Sequence, residues 1–170
     1  MSAYDPARWS DFALAQLGAS AALLGLVFVG LSINLRDVVG SRQLVNRAAE
    51  AVIGLAAVLV TATAVLIPDQ SRGVVSAELL VIAVLTFAVV ATLQRGASGQ
   101  TVGEEGRGPP RVSIVIRRTF GLGAPILLAV AGVSLAAEGG GGLYWWPAAI
   151  VVAFAGALTN SWVLLIEILR

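Results

Sequence analysis

Apolar residues run in long uninterrupted blocks along this chain, and the polar residues gather in short clusters between them. Residues 12–34 carry no charge at all, and Arg36 and Asp37 close the block. A stretch of about 20 predominantly apolar residues crosses a hydrocarbon core of roughly 30 Å, so this block predicts a first membrane-spanning helix. A cleaved signal peptide is the competing reading, but it needs a basic leader and a shorter apolar core. Here Asp5, Arg8 and Asp11 precede the block, and further apolar blocks follow.

The second helix is predicted over 48–67, stopped by Pro68, and the third over 74–93. The short polar link Pro68-Asp-Gln-Ser-Arg-Gly73 makes these two an antiparallel hairpin. Residues 94–118 read as the one long polar connection, rich in Gly and Arg and suited to a surface loop. A fourth helix is predicted over 119–137, irregular near its start because Gly121, Gly123 and Pro125 fall there. A glycine turn, Gly139–Gly142, leads to the last helix over 144–169. Its opening Tyr144-Trp-Trp-Pro147 suits the headgroup region, where aromatic residues concentrate.

The predicted fold class is therefore all-α, an integral membrane bundle of about five transmembrane helices with no soluble domain. Composition agrees: 58% of the 170 residues are hydrophobic and only 12% are charged, against roughly 25% charged in a soluble domain. A net charge of +1 argues against nucleic acid as a partner; the expected surroundings are a lipid bilayer and a homo-oligomer or larger membrane complex. All eleven basic residues are Arg, and the chain has neither His nor Cys. Thiolate nucleophiles, Cys or His zinc sites, Schiff-base lysines and His-ligated haem are thereby excluded, and no cofactor, metal site or catalytic residue is expected.

Small residues recur at steps of three and four on three helices, which places each set on one face. The first set is Ala15, Gly18, Ala22, Gly25 and Ser32; the second is Glu50, Gly54, Ala57, Thr61 and Ala64; the third is Ala149, Ala153, Gly156, Asn160 and Glu167. Such faces let helix backbones approach closely in lipid, so helices one, two and five are expected to pack through Gly18, Ala22, Gly25, Gly54, Ala57, Ala153 and Gly156. The competing reading is that a chain this rich in Ala and Gly shows a stripe by chance.

A possible polar cluster or pore lining comprises Asn34, Glu50, Thr159, Asn160, Ser161 and Glu167. Asn160 is the most polar point deep within a helix, and an amide in hydrocarbon needs a partner on another helix or water in a path. Glu50 and Glu167 are intramembrane acids, hence functional candidates, or interfacial ion-pair partners of Arg36, Arg47, Arg117 or Arg118. The segment Trp9-x-x-Phe12 followed by Gly18-Ala-Ser-Ala-Ala-Leu-Leu-Gly-Leu-Val-Phe-Val-Gly-Leu-Ser-Ile-Asn34 resembles the N-terminal signature of small, largely uncharacterised actinobacterial polytopic membrane proteins, some labelled membrane-protease modulators. The resemblance covers about a fifth of the chain and implies no catalytic residues.

The expected function is non-enzymatic, that of an accessory, scaffold or modulatory subunit acting through helix packing. The alternative is a small homo-oligomeric channel or transporter for ions or small solutes, and a lipid-acting enzyme ranks third. Cytoplasmic loops carry the excess of basic residues. Arg36, Arg42 and Arg47 fall between helices one and two, and Arg95, Arg107, Arg111, Arg117 and Arg118 between three and four. The expected location is the plasma membrane, with the N-terminus outside and the C-terminus cytoplasmic. Ser71→Cys and Ser98→Cys test this in a Cys-free chain: an impermeant thiol reagent on intact cells labels residue 71 and not residue 98, and the reverse pattern overturns the orientation.

Overall fold

The computed structural model describes residues 2–98 and 111–168. Six helices make up the fold: α1 (Ser10–Ile33), the short α2 (Leu35–Val39), α3 (Arg42–Leu66), α4 (Arg72–Ser98), α5 (Arg111–Ala137) and α6 (Trp145–Ile168). No strand occurs among the described residues. All but α2 are long and apolar enough to cross a bilayer, and a 24-residue helix such as α1 is about 36 Å long. The chain is thus a multi-pass helical bundle.

Local chemistry fixes the helix ends. Asp5 accepts a hydrogen bond from the Ala7 amide and starts a 3₁₀ turn over Pro6–Trp9 that feeds α1. Ile67 is extended (φ −64°, ψ 124°) because the following Pro68 disfavours helical backbone before it, and α3 ends there. Three boundaries differ from the sequence expectation by more than two residues. Helix α3 begins at Arg42 rather than 48, α4 continues to Ser98, and α5 begins at Arg111 rather than 119. Arginines that read as loop residues therefore lie within the first turns of helices. Much of the presumed long connection is helical at both ends, while Glu104 and Glu105 lie outside the described residues. Pro125 consequently falls in the middle of α5, not its first turns, and the helix runs continuously through it.

Helices α3, α4, α5 and α6 form a closed ring in which each packs on the next and α6 returns to α3. Their core comprises Val58, Ala62 and Val65 of α3, Val75, Leu79 and Ala83 of α4, Leu128, Ala131 and Leu135 of α5, and Trp146, Ile150 and Ala153 of α6. Helix α1 lies outside this ring against α3. Only 11% of the α1 span is buried, against 44% for α3, which makes α1 peripheral and α3 central.

One end of the bundle is locked by aromatic rings. Trp9, Phe12 and Trp146 meet in mostly edge-to-face contacts with centroids 5.3–6.4 Å apart, and Tyr144 meets Trp9 edge-on at 5.3 Å, an arrangement worth about 0.5–1.5 kcal/mol per pair beyond burial. Trp146 is fully buried and donates its indole N–H to Thr61 of α3 at 3.3 Å. The opening of α6 therefore divides: Tyr144 and Trp145 remain exposed as expected of headgroup-level residues, whereas Trp146 is core. The glycine turn before it has positive φ at Gly140, Gly141 and Gly142. Ser134 receives the Gly142 amide at 2.7 Å and Tyr4 receives that of Gly141 at 3.1 Å. Arg72 and Glu138 pair across α4 and α5 at the same end.

Helices α4 and α5 approach each other closely at Gly132. A Cβ on Gly132 would stand 2.8 Å from the Leu80 side chain and 3.2 Å from the Ser76 carbonyl, and Ser76 donates to the Gly132 carbonyl at 2.8 Å. The α1 stripe behaves oppositely. Ala15, Gly18, Ala22, Gly25 and Ser32 are all exposed, and nothing lies within 4 Å of a Cβ added at Gly18 or Gly25. This corrects the expectation that helix one packs within the bundle through that face: larger residues, including Leu17, Leu24 and Val27, make its inner contacts. Gly132→Val should lower the melting temperature of the purified protein by the equivalent of about 1–3 kcal/mol, the cost of overpacking a close contact. Gly25→Leu should leave the melting temperature of the single chain unchanged, and equal effects from both substitutions would contradict this packing.

Candidate functional site

Opposite the aromatic end, polar side chains from all four ring helices converge. Along α3 the positions 47, 50, 54, 57 and 61 fall on one face, and Arg47 and Glu50 are both buried there. Across the ring, on the diagonally opposite helix, Arg117 directs its guanidinium at Glu50. Its Nε lies 3.1 Å from each carboxylate oxygen, and its Nη2 also donates to Oε1. The carboxylate side chain is only 2% exposed and the Arg117 side chain 12%, so this is an ion pair inside the bundle. Of the four arginines that qualified as partners of Glu50 in the sequence, Arg36 and Arg118 are exposed, and Arg117 is the one bonded to it.

Helix α4 joins the layer through Gln94, whose Nε2 donates to the Arg117 carbonyl at 3.3 Å, while Asn46 of α3 donates to the Leu93 carbonyl at 3.2 Å. Helix α6 contributes Asn160, 8% exposed; among the described residues its amide has no hydrogen-bond partner.

A narrow cavity of about 50 Å³ runs along the ring axis from this layer to the Thr61–Trp146 contact. Small residues leave it open: Gly54 and Ala57 of α3, Gly121 and Ala124 of α5, Ala153 and Gly156 of α6. Pro125, which also lines it, has no N–H to offer the Gly121 carbonyl. A second cavity of about 200 Å³ adjoins the first at the arginine-rich end; Asn160, Phe120, Gly121 and Gly156 line both, and Arg47, Arg117 and Thr159 line the second.

The residues expected to pack helices fall into two groups. A Cβ at Gly54 would reach the Ala153 carbonyl of α6 at 4.0 Å, and one at Gly156 would stand 3.2 Å from Phe120 of α5; Ala57 and Ala153 share their cavity. Gly18, Ala22 and Gly25 face away from the bundle. The expected polar cluster also splits. Glu50, Thr159 and Asn160 come together at the cavities, with the Thr159 hydroxyl donating to Ala155 at 2.7 Å. Asn34 and Ser161 instead line an outer groove between α1 and α6, where Asn34 donates to the Gly30 carbonyl at 3.0 Å. The side chain of Glu167 lies outside the described residues. Glu78 sits at the far end, accepting from Gln70 at 3.0 Å.

Sequence reasoning missed Gln94, Asn46, Gly121 and Gly132. Only Gly121 carried a signal, since Arg117, Gly121 and Ala124 follow helical spacing once α5 is extended backwards. No cluster of three or more potential metal-ligating side chains forms among the described residues. Comparison with known proteins finds no matching family model, curated protein or solved structure.

Proposed function

We propose that this chain is a non-enzymatic accessory, scaffold or modulatory subunit that associates with other transmembrane helices through the outward face of α1. The observation that carries this reading is the division of labour among the helices. The ring of α3 to α6 is closed on itself, whereas α1 turns Ala15, Gly18, Ala22, Gly25 and Ser32 away from it with nothing against Gly18 or Gly25. In lipid the hydrophobic effect does not drive helices together, and a smooth small-residue face offers the close backbone approach that does. The occupant is a transmembrane helix of a neighbouring subunit, either a second copy of this chain or a helix of a larger membrane complex.

The orientation that goes with this reading has the arginine-rich end in the cytoplasm. Arg36, Arg42, Arg95 and Arg118 are exposed there, while the aromatic end exposes Arg8 and half-exposes Arg72. The resemblance of the first helix to small actinobacterial membrane proteins is compatible with an accessory role.

The channel reading draws support from one observation: Glu50, Thr61, Thr86 and Asn160 line a common axial cavity. The cavity is narrow, and the Glu50–Arg117 pair stands across one end with Trp146 at the other, so a conducting path through a single chain needs both to move. The two readings part in one experiment. Gly25→Leu should reduce the mass of the detergent-solubilised assembly without lowering the melting temperature of the chain, and wild-type proteoliposomes should pass monovalent cations and protons at background rates. An unchanged assembly mass with Gly25→Leu contradicts the α1 interface. A robust wild-type flux that Asn160→Leu abolishes while the assembly persists contradicts the accessory reading.

A further inference from the structure

We propose that the cavity between α3, α5 and α6 at the arginine-rich end seats the phosphate of an anionic membrane phospholipid. The inference stands on the geometry of that cavity and is independent of the α1 interface. Its first support is Asn160. Asn160 as a whole residue is 8% exposed and lines both cavities, and its amide has no hydrogen-bond partner among the described residues. An amide withdrawn from water without a partner is costly in an apolar interior, and a ligand acceptor at this point relieves that cost.

The second support is the uncommitted edge of Arg117. Its Nε and Nη2 are spent on Glu50, and a guanidinium carries five N–H donors in a planar fork, so the side chain, which lines the cavity, keeps donors that Glu50 does not use. Glu50 is held behind that guanidinium and its charge is neutralised there. Arg47 contributes a second guanidinium to the same wall. A wall made of guanidinium and amide donors is matched by an acceptor-rich anion, and phosphate presents several strong acceptor oxygens to donors on different helices.

The surroundings favour a lipid-borne phosphate over a free one. Arg117 is the seventh residue of α5, about 9 Å from the start of the helix, and Ile116, Phe120 and Val163 give the cavity an apolar rim that suits a glycerol backbone and the first carbons of its chains. Exposed Arg36, Arg42, Arg95 and Arg118 surround this end and draw anionic headgroups toward it, as basic pockets between transmembrane helices do at the cytoplasmic leaflet.

Phosphatidylglycerol, phosphatidylcholine and inorganic phosphate are the probes, offered to the delipidated full chain in detergent and read by native mass spectrometry and thermal melting. The expected result is that phosphatidylglycerol is retained and raises the melting temperature, while neither phosphatidylcholine nor inorganic phosphate does so. Asn160→Leu should weaken phosphatidylglycerol retention by about tenfold or more, the loss of one hydrogen bond to a charged acceptor. Arg8→Gln, which alters only an exposed arginine at the opposite, aromatic end, should retain the bound lipid. Asn160→Asp provides the same reading if the leucine variant does not fold, because it keeps size and polarity but opposes a phosphate. Equal retention of the two lipids overturns the proposal, as does unchanged retention in the Asn160 variants. A melting shift from inorganic phosphate matching that from phosphatidylglycerol overturns the lipid and assigns the cavity to a free anion.

Discussion

The buried pair Glu50–Arg117 is the constraint around which the ring is arranged. An isolated charge inside a helical bundle in lipid is too costly to keep, so α5 must enter at the depth and rotation that present Arg117 to Glu50. The two residues belong to diagonally opposed helices, and the bond therefore spans the ring rather than joining neighbours. Once it forms, the register of α3 against α5 is fixed. Gln94 of α4 then meets the Arg117 carbonyl, and Asn160 of α6 is carried to the edge of the same layer. Below the pair, Gly54, Ala57, Gly121, Ala124, Ala153 and Gly156 are too small to fill the axis, and the narrow cavity is the result.

The opposite end solves the same problem without buried charge. Trp9 in the turn before α1 and Phe12 in its first turn close over Trp146, and Thr61 receives the indole N–H while its own hydroxyl donates to the Val58 carbonyl at 2.9 Å. These rings fasten α1 to the bundle at its start. Farther along, α1 touches α3 through larger apolar residues and leaves its small residues to the surroundings. The ring is closed on itself with one peripheral helix, and the arginine-rich end holds a cavity lined by Arg47, Arg117 and Asn160.

Much of this was legible in the chain. The five apolar blocks predict the five long helices because an apolar run in a membrane protein has little alternative to a helix. Their ends were less legible. Arg42 and Arg47 in α3 and Arg111, Arg117 and Arg118 in α5 look like loop residues by hydropathy alone, and the apolar blocks therefore mark only part of each helix. Small-residue stripes show which residues share a face but not which way the face points: for α1 that face is outward, while Gly54 and Gly156 face other helices. Lipid removes the polar contrast that would mark inside from outside in a soluble protein. Trp146 read as an interfacial anchor beside Tyr144 and Trp145, and residues distant in the chain, Trp9 and Phe12 in ring contact and Thr61 through a hydrogen bond, make it core. Glu50 and Asn160 were legible as polar points inside helices, but the choice of Arg117 over Arg36 or Arg118 depends on a crossing that sequence spacing does not contain.

The most direct test of the arrangement is a double-mutant cycle on the diagonal pair, with Glu50→Leu, Arg117→Leu and the combined variant compared by thermal and denaturant unfolding in one detergent. Each single substitution strands a buried charge and should cost about 3–5 kcal/mol, whereas the double variant, with neither charge left inside, should recover most of that loss. Additive losses in the double variant, or single substitutions without effect, would contradict an ion pair across the centre of the ring.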